Sequence, residues 1–592
     1  MNGFYRQFNR FDWQLWKQFW SVAKPYWFSN EKGSARGLLA VLLILLLLVS
    51  GLNVLISYVG RFFQTALANK DVATFWKFLF IYAAVFVIGT PIAVIYDYMQ
   101  KKLGLYWRRW LTNDFLDKYF HQRAYYDINS NDKIDNPDQR ISQDINSFTG
   151  TSLAFLLLVL NSIIELIAFT GILWSISIPL TIILVVYAIF GTVVTVWFGK
   201  RLIGLNYNQL RQEADFRYGL VHIRNNAESI AFYRGEEQES VQVRQRFREA
   251  LRNFNLLIGW QRNLGFFTTG FKYFVTILPA LVVAPIYFVG RIDFGAISQA
   301  SFAFTQVLGA LSIIVTQFED ISAFAAGINR LANFKQVLTE QNAELKPGAT
   351  VIDSKIDTYI ALKHVTLLTP NYKQTLVRDI SLTVERGKNL LIVGASGTGK
   401  SSIIRAIAGL WNAGTGAIVR PQPEEMLFLP QRPYMILGSL RDQLLYPHTH
   451  TEIGDERLNR VLQQVNLAAL APRVGGFDIT LDWTSVLSLG EQQRLAFARL
   501  LLTQPRYAIL DEATSALDLK NEERLYCHLQ AISTLFISVG HRNSLIKYHQ
   551  QVLELKGNSH WQLLPAQAYI QKNQVDRNGL TKDLFGEGFA AT

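Results

Sequence analysis

One run of eight residues in the second half of the chain has the composition of a phosphate-binding loop. It reads Gly394-Ala395-Ser396-Gly397-Thr398-Gly399-Lys400-Ser401. Glycines let backbone N–H groups curl around phosphate oxygens, the lysine neutralises the outer phosphates, and the serine hydroxyl can ligate Mg²⁺. An apolar strand pattern at 390–393 precedes the run and a helical pattern at 402–409 follows it, which argues against a chance match. We expect Ser402, at the start of that helix, to contribute to the same site.

Two carboxylates end a second short apolar strand. Asp511 and Glu512 directly follow the apolar run 507–510. An acidic pair at a strand end is by itself usually a solvated turn, but a phosphate-binding loop upstream favours a catalytic pair. Asp511 is then placed to hold the Mg²⁺ shell, and Glu512 to orient and deprotonate an attacking water.

The first part of the chain is apolar enough to cross a membrane repeatedly. A crossing needs about 20 apolar residues, and six stretches are suitable: 37–60, 77–98, 152–176, 178–198, 266–290 and 296–317. The intervals after the second and fourth crossings are long and helical in pattern, which predicts helices that continue beyond the bilayer. Before the first crossing, aromatic and basic residues at 4–24 form an amphipathic pattern typical of an interfacial helix, which Pro25 should end or kink.

The net charge of +12, from 58 Lys and Arg against 46 Asp and Glu, has a membrane explanation. The basic residues concentrate at 100–125 and 200–262, whereas the first opposite loop holds only Lys70 and Asp71. The positive-inside rule therefore puts the N-terminus, both long loops and the C-terminal domain in the cytoplasm, and no nucleic acid is needed. The single cysteine, Cys527, excludes an internal disulfide. The first apolar run begins after Arg36, too far along for a cleavable signal peptide.

The order of motifs at 351–592 resembles the nucleotide-binding domain of ABC transporters. The series comprises the phosphate-binding loop, Gln431, the segment Leu487–Arg494, Asp511-Glu512, Ser515–Asp518 and His541. The resemblance implies ATP and Mg²⁺ as cofactors, with Ser401, Gln431 and Asp511 around the metal. It also implies that Gln431 senses the γ-phosphate and couples to the membrane domain, and that His541 contacts the γ-phosphate.

The resemblance assigns further residues to ATP bound by a partner subunit. Ser488, Gly490 and Glu491 belong to the signature that closes over the partner's nucleotide, and Asp518 lies in the loop that links the two sites. Leu489 stands where Gly is usual and Glu491 where Gln is usual. For the adenine-stacking aromatic, Thr369-Pro370 occupies the place of the common Tyr; Tyr372 is the candidate, with an ordinary loop residue as the alternative.

The membrane part narrows the resemblance to subfamily-D ABC half-transporters. The stretches that carry it are 23–27, 123–126, 136–141, 227–233, 429–434 and 482–483. That subfamily includes peroxisomal acyl-CoA carriers, a lysosomal cobalamin transporter and bacterial proteins whose membrane domain resembles BacA-like peptide-uptake transporters. One chain carries one phosphate-binding loop and one signature, so a homodimer with two sites follows; a heterodimer is the alternative.

We therefore expect a polytopic α-helical membrane domain of six helices, exporter-like, fused to an α/β P-loop nucleotide-binding domain. The predicted divisions are an interfacial elbow helix at 1–36, the membrane domain at 37–330, a linker at 331–350 and the nucleotide-binding domain with its tail at 351–592. The predicted membrane is the bacterial inner membrane.

The expected function is ATP-driven transport of a hydrophilic, cobalamin- or peptide-like solute. An acyl-CoA or lipid transporter is one alternative, and a membrane-tethered ATPase acting as a regulator or channel is another. Glu165 and Lys272 lie inside the third and fifth crossings, where charged groups are costly. They either line a polar pathway or pair locally to hold helices together.

Overall fold

The computed structural model describes residues 13–130, 134, 137–311, 317–340, 350–370, 372–449 and 452–572. The chain divides into two compact units, Met1–Glu344 and Leu345–Thr592. The first part of the predicted interfacial helix, with Phe4, Phe8 and Phe11, and the Lys346–Gly348 part of the predicted linker lie outside the described residues. Residues 331–340, also predicted as linker, are helical here. The predicted domain boundaries stay predictions.

The first unit is built from helices in every part that the structure describes. They are α1 (Trp13–Trp27), α2 (Lys32–Ala68), α3 (Val72–Phe120), α4 (Ala124–Ser130), α5 (Ile145–Ile176), α6 (Ile178–Asn225), α7 (Ala227–Tyr233), α8 (Glu236–Phe288), α9 (Phe294–Leu311) and α10 (Phe318–Glu340). Short helical turns at His121–Arg123, Pro137–Gln139 and Arg140–Asp144 connect α3, α4 and α5.

The described parts of the six predicted crossings lie on six different helices; residues 312–316 of the sixth crossing lie outside the described residues, and the fifth runs two residues past the end of α8. Within the described ranges, five helical segments are long and apolar enough to cross a bilayer, namely Lys32–Ala68, Val72–Phe120, Pro137–Ile176, Glu236–Phe288 and Phe294–Leu311. The fourth predicted crossing, 178–198, lies on α6, which spans Ile178–Asn225. Large apolar side chains such as Phe80, Val87 and Ile167 are exposed on these helices. Such surfaces are stable when lipid covers them.

The helices that follow the second and fourth crossings continue far beyond a bilayer, as the sequence predicted. α3 has 49 residues, α6 has 48 and α8 has 53. At 1.5 Å per residue, each is about 70–80 Å long, more than twice the hydrocarbon thickness. Ser177 separates α5 from α6, and its side chain caps the start of α6 by accepting a hydrogen bond from the Leu180 N–H.

The first helix ends two residues after Pro25, close to where the sequence predicted an end or a kink. α1 continues to Trp27 with Pro25 inside it. A proline has no N–H for the carbonyl one turn earlier, and here the Lys335 ammonium of α10 donates to that carbonyl of Ser21 instead. The helix therefore tolerates Pro25, because the carbonyl left without its usual partner is paired by a side chain.

The second unit contains twelve strands in the residues that the structure describes. They are β1 (Asp353–Ile356), β2 (Ile360–Leu368), β3 (Thr375–Val384), β4 (Leu390–Gly394), β5 (Gly414–Arg420), β6 (Met426–Leu429), β7 (Gly438–Ser439), β8 (Thr480–Leu481), β9 (Tyr507–Asp511), β10 (Leu535–Val539), β11 (Gln551–Gly557) and β12 (His560–Pro565). They form a six-stranded sheet in the order β12-β11-β4-β10-β9-β6, a four-stranded sheet in the order β1-β5-β2-β3, and the small pair β7-β8.

Helices alternate with the strands of this unit. They are α11 (Lys400–Ile407), α12 (Leu440–Leu445), α13 (Asp455–Gln464), α14 (Leu470–Val474), α15 (Trp483–Val486), α16 (Leu489–Thr503) and α17 (Leu519–Ala531), with 3₁₀ turns at Pro423–Glu425 and Asn543–Tyr548. In the six-stranded sheet, β11, β4, β10, β9 and β6 are mutually parallel, and only β12 pairs antiparallel. The β4, β9 and β10 strands are almost completely buried, as expected for parallel strands covered on both faces.

Candidate active site

Four neighbouring parallel strands end at one edge of the six-stranded sheet, and each is followed by a predicted site segment. The phosphate-binding loop follows β4, His541 follows β10, Glu512 follows β9 and Gln431 follows β6. The register aligns these ends, because Val539 of β10 lies opposite both Asp511 of β9 and Ile392 of β4. The carboxyl ends of parallel strands are the usual location of ligand sites in α/β sheets.

The loop at 394–399 requires glycine at particular positions. Gly394, Gly397 and Gly399 have φ values of +152°, +82° and +99°, which side-chain-bearing residues rarely adopt. A Cβ at Gly394 would lie 2.5 Å from the Leu555 carbonyl oxygen. α11 begins immediately after the loop at Lys400, so backbone N–H groups are available to an anion at this helix terminus.

Lys400 is held toward the inside of the loop. Its Nζ donates to the carbonyl oxygens of Gly394, at 2.9 Å, and Ala395, at 2.8 Å. Burial lowers the pKa of Lys400, while the carboxylates of Glu512 and Asp511 oppose that shift. An ammonium held by two neutral carbonyls can exchange them for phosphate oxygens, which are stronger partners for a cation.

Ser401 and Asp511 form the oxygen pair expected for Mg²⁺. The Ser401 hydroxyl donates to Asp511 Oδ1 at 3.3 Å. Burial raises the pKa of Asp511, and the hydrogen bond from Ser401 opposes this shift. A hydroxyl and a carboxylate side by side at the end of the phosphate-binding loop are the hard oxygen ligands that Mg²⁺ prefers. The residues present therefore fit the metal and nucleotide that the loop implies.

Glu512 is oriented from two sides. Its Oε2 accepts a hydrogen bond from Gln431 Nε2 at 2.9 Å, and its Oε1 lies 3.3 Å from His541 Nε2. The Glu512 backbone has a φ of +48°, in the left-handed region, and its N–H donates to the Val539 carbonyl. A non-glycine residue in that region is held there by its surroundings. The arrangement points the carboxylate between the predicted γ-phosphate contacts.

The signature segment forms the beginning of α16. Ser488 is its N-cap: the Ser488 side chain accepts from the Glu491 N–H, and the Glu491 carboxylate accepts from the Ser488 N–H. Glu491 also pairs with Arg473 at 2.7 Å. Although burial raises its pKa, the hydrogen bonds from Arg473 and Ser488 bring the net shift below the usual value. The departure from the usual Gln thus gives this helix an ionised capping residue.

The signature lies apart from the phosphate-binding loop of its own chain. In the part of the chain that the structure describes, no hydrogen bond of Ser488 reaches that loop. A Cβ at Gly490 would instead lie 3.2 Å from the Ala516 carbonyl oxygen, in the loop before Asp518. Asp518 begins α17, where its side chain accepts from the Asn521 N–H, and that hydrogen bond lowers its pKa.

Gln493 connects three of these segments, and sequence reasoning assigned it no role. It is 1% exposed. Its Nε2 donates to the Gln431 carbonyl at 2.8 Å and to Ser515 Oγ at 3.1 Å, and its Oε1 accepts from the Ala516 N–H. Its place in the signature segment was the available signal, but only the fold shows what it contacts.

Tyr372 lies in the loop between β2 and β3 with a φ of +60° and 38% of its surface exposed. The strand that follows approaches the phosphate-binding loop, because a Cβ at Gly399 would contact Leu376 and Val377 at 3.2–3.4 Å. This position leaves Tyr372 as the candidate for stacking on a base, as the sequence suggested. Its role stays a prediction.

The first unit contains a separate polar feature, a cavity of about 940 Å³. It is lined by α2, α3, α5 and α10, and Asn161 and Glu165 are among its walls. The Asn161 side-chain oxygen accepts a hydrogen bond from Ser50 Oγ at 3.2 Å, and Asn53 also lines the cavity. The nearby Ser162 hydroxyl donates to the Leu158 carbonyl of its own helix. The side chain of Lys272 lies outside the described residues.

Comparison with known families matches both units. Residues 24–288 match the family described as ABC transporter transmembrane region 2, and residues 377–515 match the family described as ABC transporter. An uncharacterized ABC transporter ATP-binding protein of Synechocystis is 54% identical over 89% of this chain and 81% of its own length.

Two further relatives and one solved structure cover nearly the whole chain. The chloroplastic ABC transporter D family member 2 of Arabidopsis thaliana is 44% identical over 91% of this chain and 86% of its own. The human lysosomal cobalamin transporter ABCD4 is 32% identical over 94% and 97%. A bacterial Atm1-family ABC exporter with ATP bound superposes with a TM-score of 0.73, covering 95% of this chain and 100% of the other, at 17% identity. At 17% identity, this superposition shows that the two proteins share a fold.

Proposed function

This chain belongs to the ABC transporters of subfamily D, and from that membership we propose that two copies of it form a pump for a hydrophilic solute. As a member of the family it binds ATP with Mg²⁺ and couples hydrolysis to transport across a membrane. Half-transporters of this kind function as dimers. We assign the second subunit to another copy of the same chain, since one chain supplies one phosphate-binding loop and one signature.

The proposed chemistry is hydrolysis of the terminal phosphate by an oriented water. Glu512 is the general base, supported by its hydrogen bond from Gln431 and by the nearness of His541. Ser401, Gln431 and Asp511 would hold Mg²⁺, Lys400 and the loop N–H groups would hold the phosphates, and Ser402 would extend that cradle. The bound Mg²⁺ neutralises charge on the phosphates. Gln431 and His541 contact the γ-phosphate in this proposal.

The second half of each site comes from the partner. We propose that Ser488, Gly490 and Glu491 of one copy close over the ATP held by the other, with Asp518 between the two sites. The support is that Ser488 and Glu491 cap the exposed start of α16; among the residues that the structure describes, their capping bonds stay within the box and Glu491 pairs with Arg473. A helix N-terminus is suited to a phosphate group.

The polar side chains that line the cavity in the first unit support a hydrophilic cargo. Glu165 and Asn161 line it from α5, and Asn53 lines it from α2. A carboxyl group in a membrane helix is costly unless it faces a polar space or a partner. Asp144 directly precedes α5. Both of its carboxylate oxygens accept hydrogen bonds from Arg330 at 2.8 Å, so this carboxylate already has a cationic partner.

The same walls argue against the acyl-CoA alternative. Cargo with several phosphates requires a basic cluster, whereas the one cation among the described lining residues is Arg330, which Asp144 occupies. Glu165 and Asp320 contribute carboxyl groups to the wall and no cation. Relatives alone do not identify the cargo, although one is named a cobalamin transporter.

We further propose that the protein lies in a bacterial inner membrane with its N-terminus and ATP-binding unit in the cytoplasm. The distribution of Lys and Arg along the chain supports this orientation. The high identity to a cyanobacterial relative supports the bacterial membrane.

Reconstitution into vesicles tests the function directly. Purified transporter is placed in liposomes and supplied with cobalamin, a mixture of short peptides, or an acyl-CoA, with MgATP on either side. We expect ATP-dependent movement of a hydrophilic solute and none with the Glu512→Gln variant. Movement of acyl-CoA alone would identify a lipid-type transporter. Hydrolysis that no solute stimulates, without movement of any solute, would favour the regulator or channel.

A further inference from the structure

The buried carboxylate of Glu522 has no role in the proposed hydrolysis of ATP. Glu522 lies in the first turn of α17, four residues after Asp518, and is 1% exposed. An ionised carboxylate in the interior is stable only when its oxygens are hydrogen-bonded or paired with a cation. The contacts of Glu522 therefore show what its burial accomplishes.

Glu522 receives three donors from two different segments. Its Oε2 accepts from Thr514 Oγ1 at 3.0 Å and from Arg542 Nη1 at 3.1 Å, and its Oε1 accepts from Ser544 Oγ. Thr514 lies two residues after Glu512. Arg542 and Ser544 follow His541. The carboxylate thus joins the segment after β9 to the segment after β10.

Arg542 extends this junction to the loop before α17. Its Nη1 donates to the Leu517 carbonyl at 2.8 Å and its Nη2 to the Ser515 carbonyl at 2.9 Å. A planar guanidinium can make these bonds together with the one to Glu522 because its donors have a fixed geometry. The residue next to His541 is thereby fixed to the backbone on both sides of Ala516.

We infer that Glu522 and Arg542 form a clamp that positions Glu512 against His541 and fixes the Ser515–Asp518 loop. The two side chains of the site lie 3.3 Å apart, yet the loops that carry them follow different strands. The clamp joins those loops one residue from His541 and two residues from Glu512. This inference rests on the proposed roles of Glu512 and His541, and it makes Glu522 and Arg542 positioning residues that touch no substrate.

The clamp also fixes the position of the Ser515–Asp518 loop relative to Glu512 and His541. In the proposed dimer this loop lies between the two ATP sites, and the Gly490 backbone approaches it at Ala516. Displacement of His541 therefore acts on the loop through Arg542. A change in the clamp should affect the rate of hydrolysis more than the binding of nucleotide, because the phosphate-binding loop makes none of these contacts.

The neighbouring Glu523 offers a matched control. It lies on the same helix, also carries one negative charge, and pairs with Lys547 at 2.8 Å, but it is 59% exposed. Glu522→Gln and Glu523→Gln remove the same charge one residue apart. Arg542→Lys is the second test variant, since an ammonium keeps the charge for Glu522 but cannot hold both carbonyls in the guanidinium geometry.

The experiment measures kcat and KM for ATP, nucleotide affinity and unfolding temperature for the full-length transporter in lipid. We expect Glu522→Gln and Arg542→Lys to lower kcat about 10- to 100-fold, the range expected for small misplacement of reacting groups. Nucleotide affinity should change less than about threefold, and Glu523→Gln should resemble the wild type. Because both residues belong to one clamp, the kcat of the double variant should be no lower than that of the less active single variant.

Two results would overturn the clamp. One is a kcat within about twofold of wild type in the folded variants. The other is a parallel loss of kcat, affinity and unfolding temperature, which indicates a purely structural pair. If Glu522→Gln does not fold, Arg542→Lys decides by the same criteria. Glu512→Gln in the same assay separates the two proposals: an active Glu512→Gln variant refutes the proposed base, whereas an inactive one beside active clamp variants refutes only the clamp.

Discussion

The amide of Gln431 donates a hydrogen bond to the carboxylate of Glu512, with Nε2 and Oε2 2.9 Å apart. The two residues are 81 positions apart in sequence but follow adjacent parallel strands, β6 and β9. The proposed base is therefore held by the residue that is proposed to report on the membrane domain. A movement of Gln431 would change the orientation of Glu512 directly, which gives coupling a physical route.

The first prediction concerns that base. Glu512→Gln should retain ATP binding and lose about 10²–10⁴-fold in turnover, because the amide cannot accept a proton from water while its size and hydrogen bonds are preserved. ATPase rate and nucleotide affinity of the purified transporter measure this. Glu385→Gln, which alters an exposed carboxylate paired with Lys388, is the control. Turnover near the wild-type value in Glu512→Gln would assign the base elsewhere.

The second prediction concerns the turn between α6 and α8. The short helix α7 carries Glu228, and it exposes Phe232 and Tyr233, at 78% and 88%. We propose that this turn takes part in coupling transport to ATP hydrolysis. Glu228→Ala should then lower solute moved per ATP about fivefold or more, within the usual range of coupling energies, while ATP binding is unchanged.

Simultaneous assay of uptake and hydrolysis in vesicles measures that ratio. Glu237→Ala, which removes an exposed carboxylate from the first turn of α8, should leave the ratio unchanged. An unaltered ratio in Glu228→Ala would make the turn a structural feature of the helix pair.

The third prediction concerns the cavity wall. Cysteines introduced at Asn161 and Glu165, with Cys527 replaced, should react with a membrane-impermeant thiol reagent from at least one side, since both residues line the cavity. Lys272→Cys tests the residue whose side chain lies outside the described part. A cysteine at Ile167, which is 71% exposed on the apolar surface of α5, should stay unlabelled because lipid covers it. Absence of labelling at 161 and 165, with and without ATP, would contradict a water-accessible pathway.

The fourth prediction concerns pH. His549 is 4% exposed, its Nδ1 and Nε2 lie 2.7 and 2.9 Å from the Leu545 carbonyl and Ser538 Oγ, and burial lowers its pKa to about 4. Its ordinary pKa is about 6.5. Above that value both folded and unfolded chains hold a neutral imidazole. Between about 6.5 and 4 only the unfolded chain binds the proton, so stability is lost as pH falls through this window, by up to about 3 kcal/mol.

Unfolding temperatures at pH 7 and pH 5 test this directly. The wild type should lose stability between them, and the loss should be smaller in His549→Gln, which has no proton to bind. His560→Gln, a change at an exposed histidine of β12, should keep the wild-type dependence. An identical pH slope in all three proteins would show that His549 does not titrate differently on folding.

The sequence alone determined the parts whose signal is local. The glycine spacing of the loop at 394–399 specifies its backbone, because only glycine tolerates those φ values. Long apolar runs predicted the membrane crossings, because the thickness of the bilayer sets the length of a helix that crosses it. The resemblance of ordered motifs then identified the family, and the comparisons confirmed it.

Only the tertiary structure decided which distant residues meet. The order of strands β4-β10-β9-β6 brings Lys400, His541, Glu512 and Gln431 to one edge, and no local pattern encodes that order. The fold also places the Lys335 ammonium on the Ser21 carbonyl that Pro25 leaves without its helical partner, and the helix continues to Trp27. Gln493, Glu522 and Arg542 went unassigned for the same reason: a buried polar side chain is defined by its partners, and those partners are set by long-range packing.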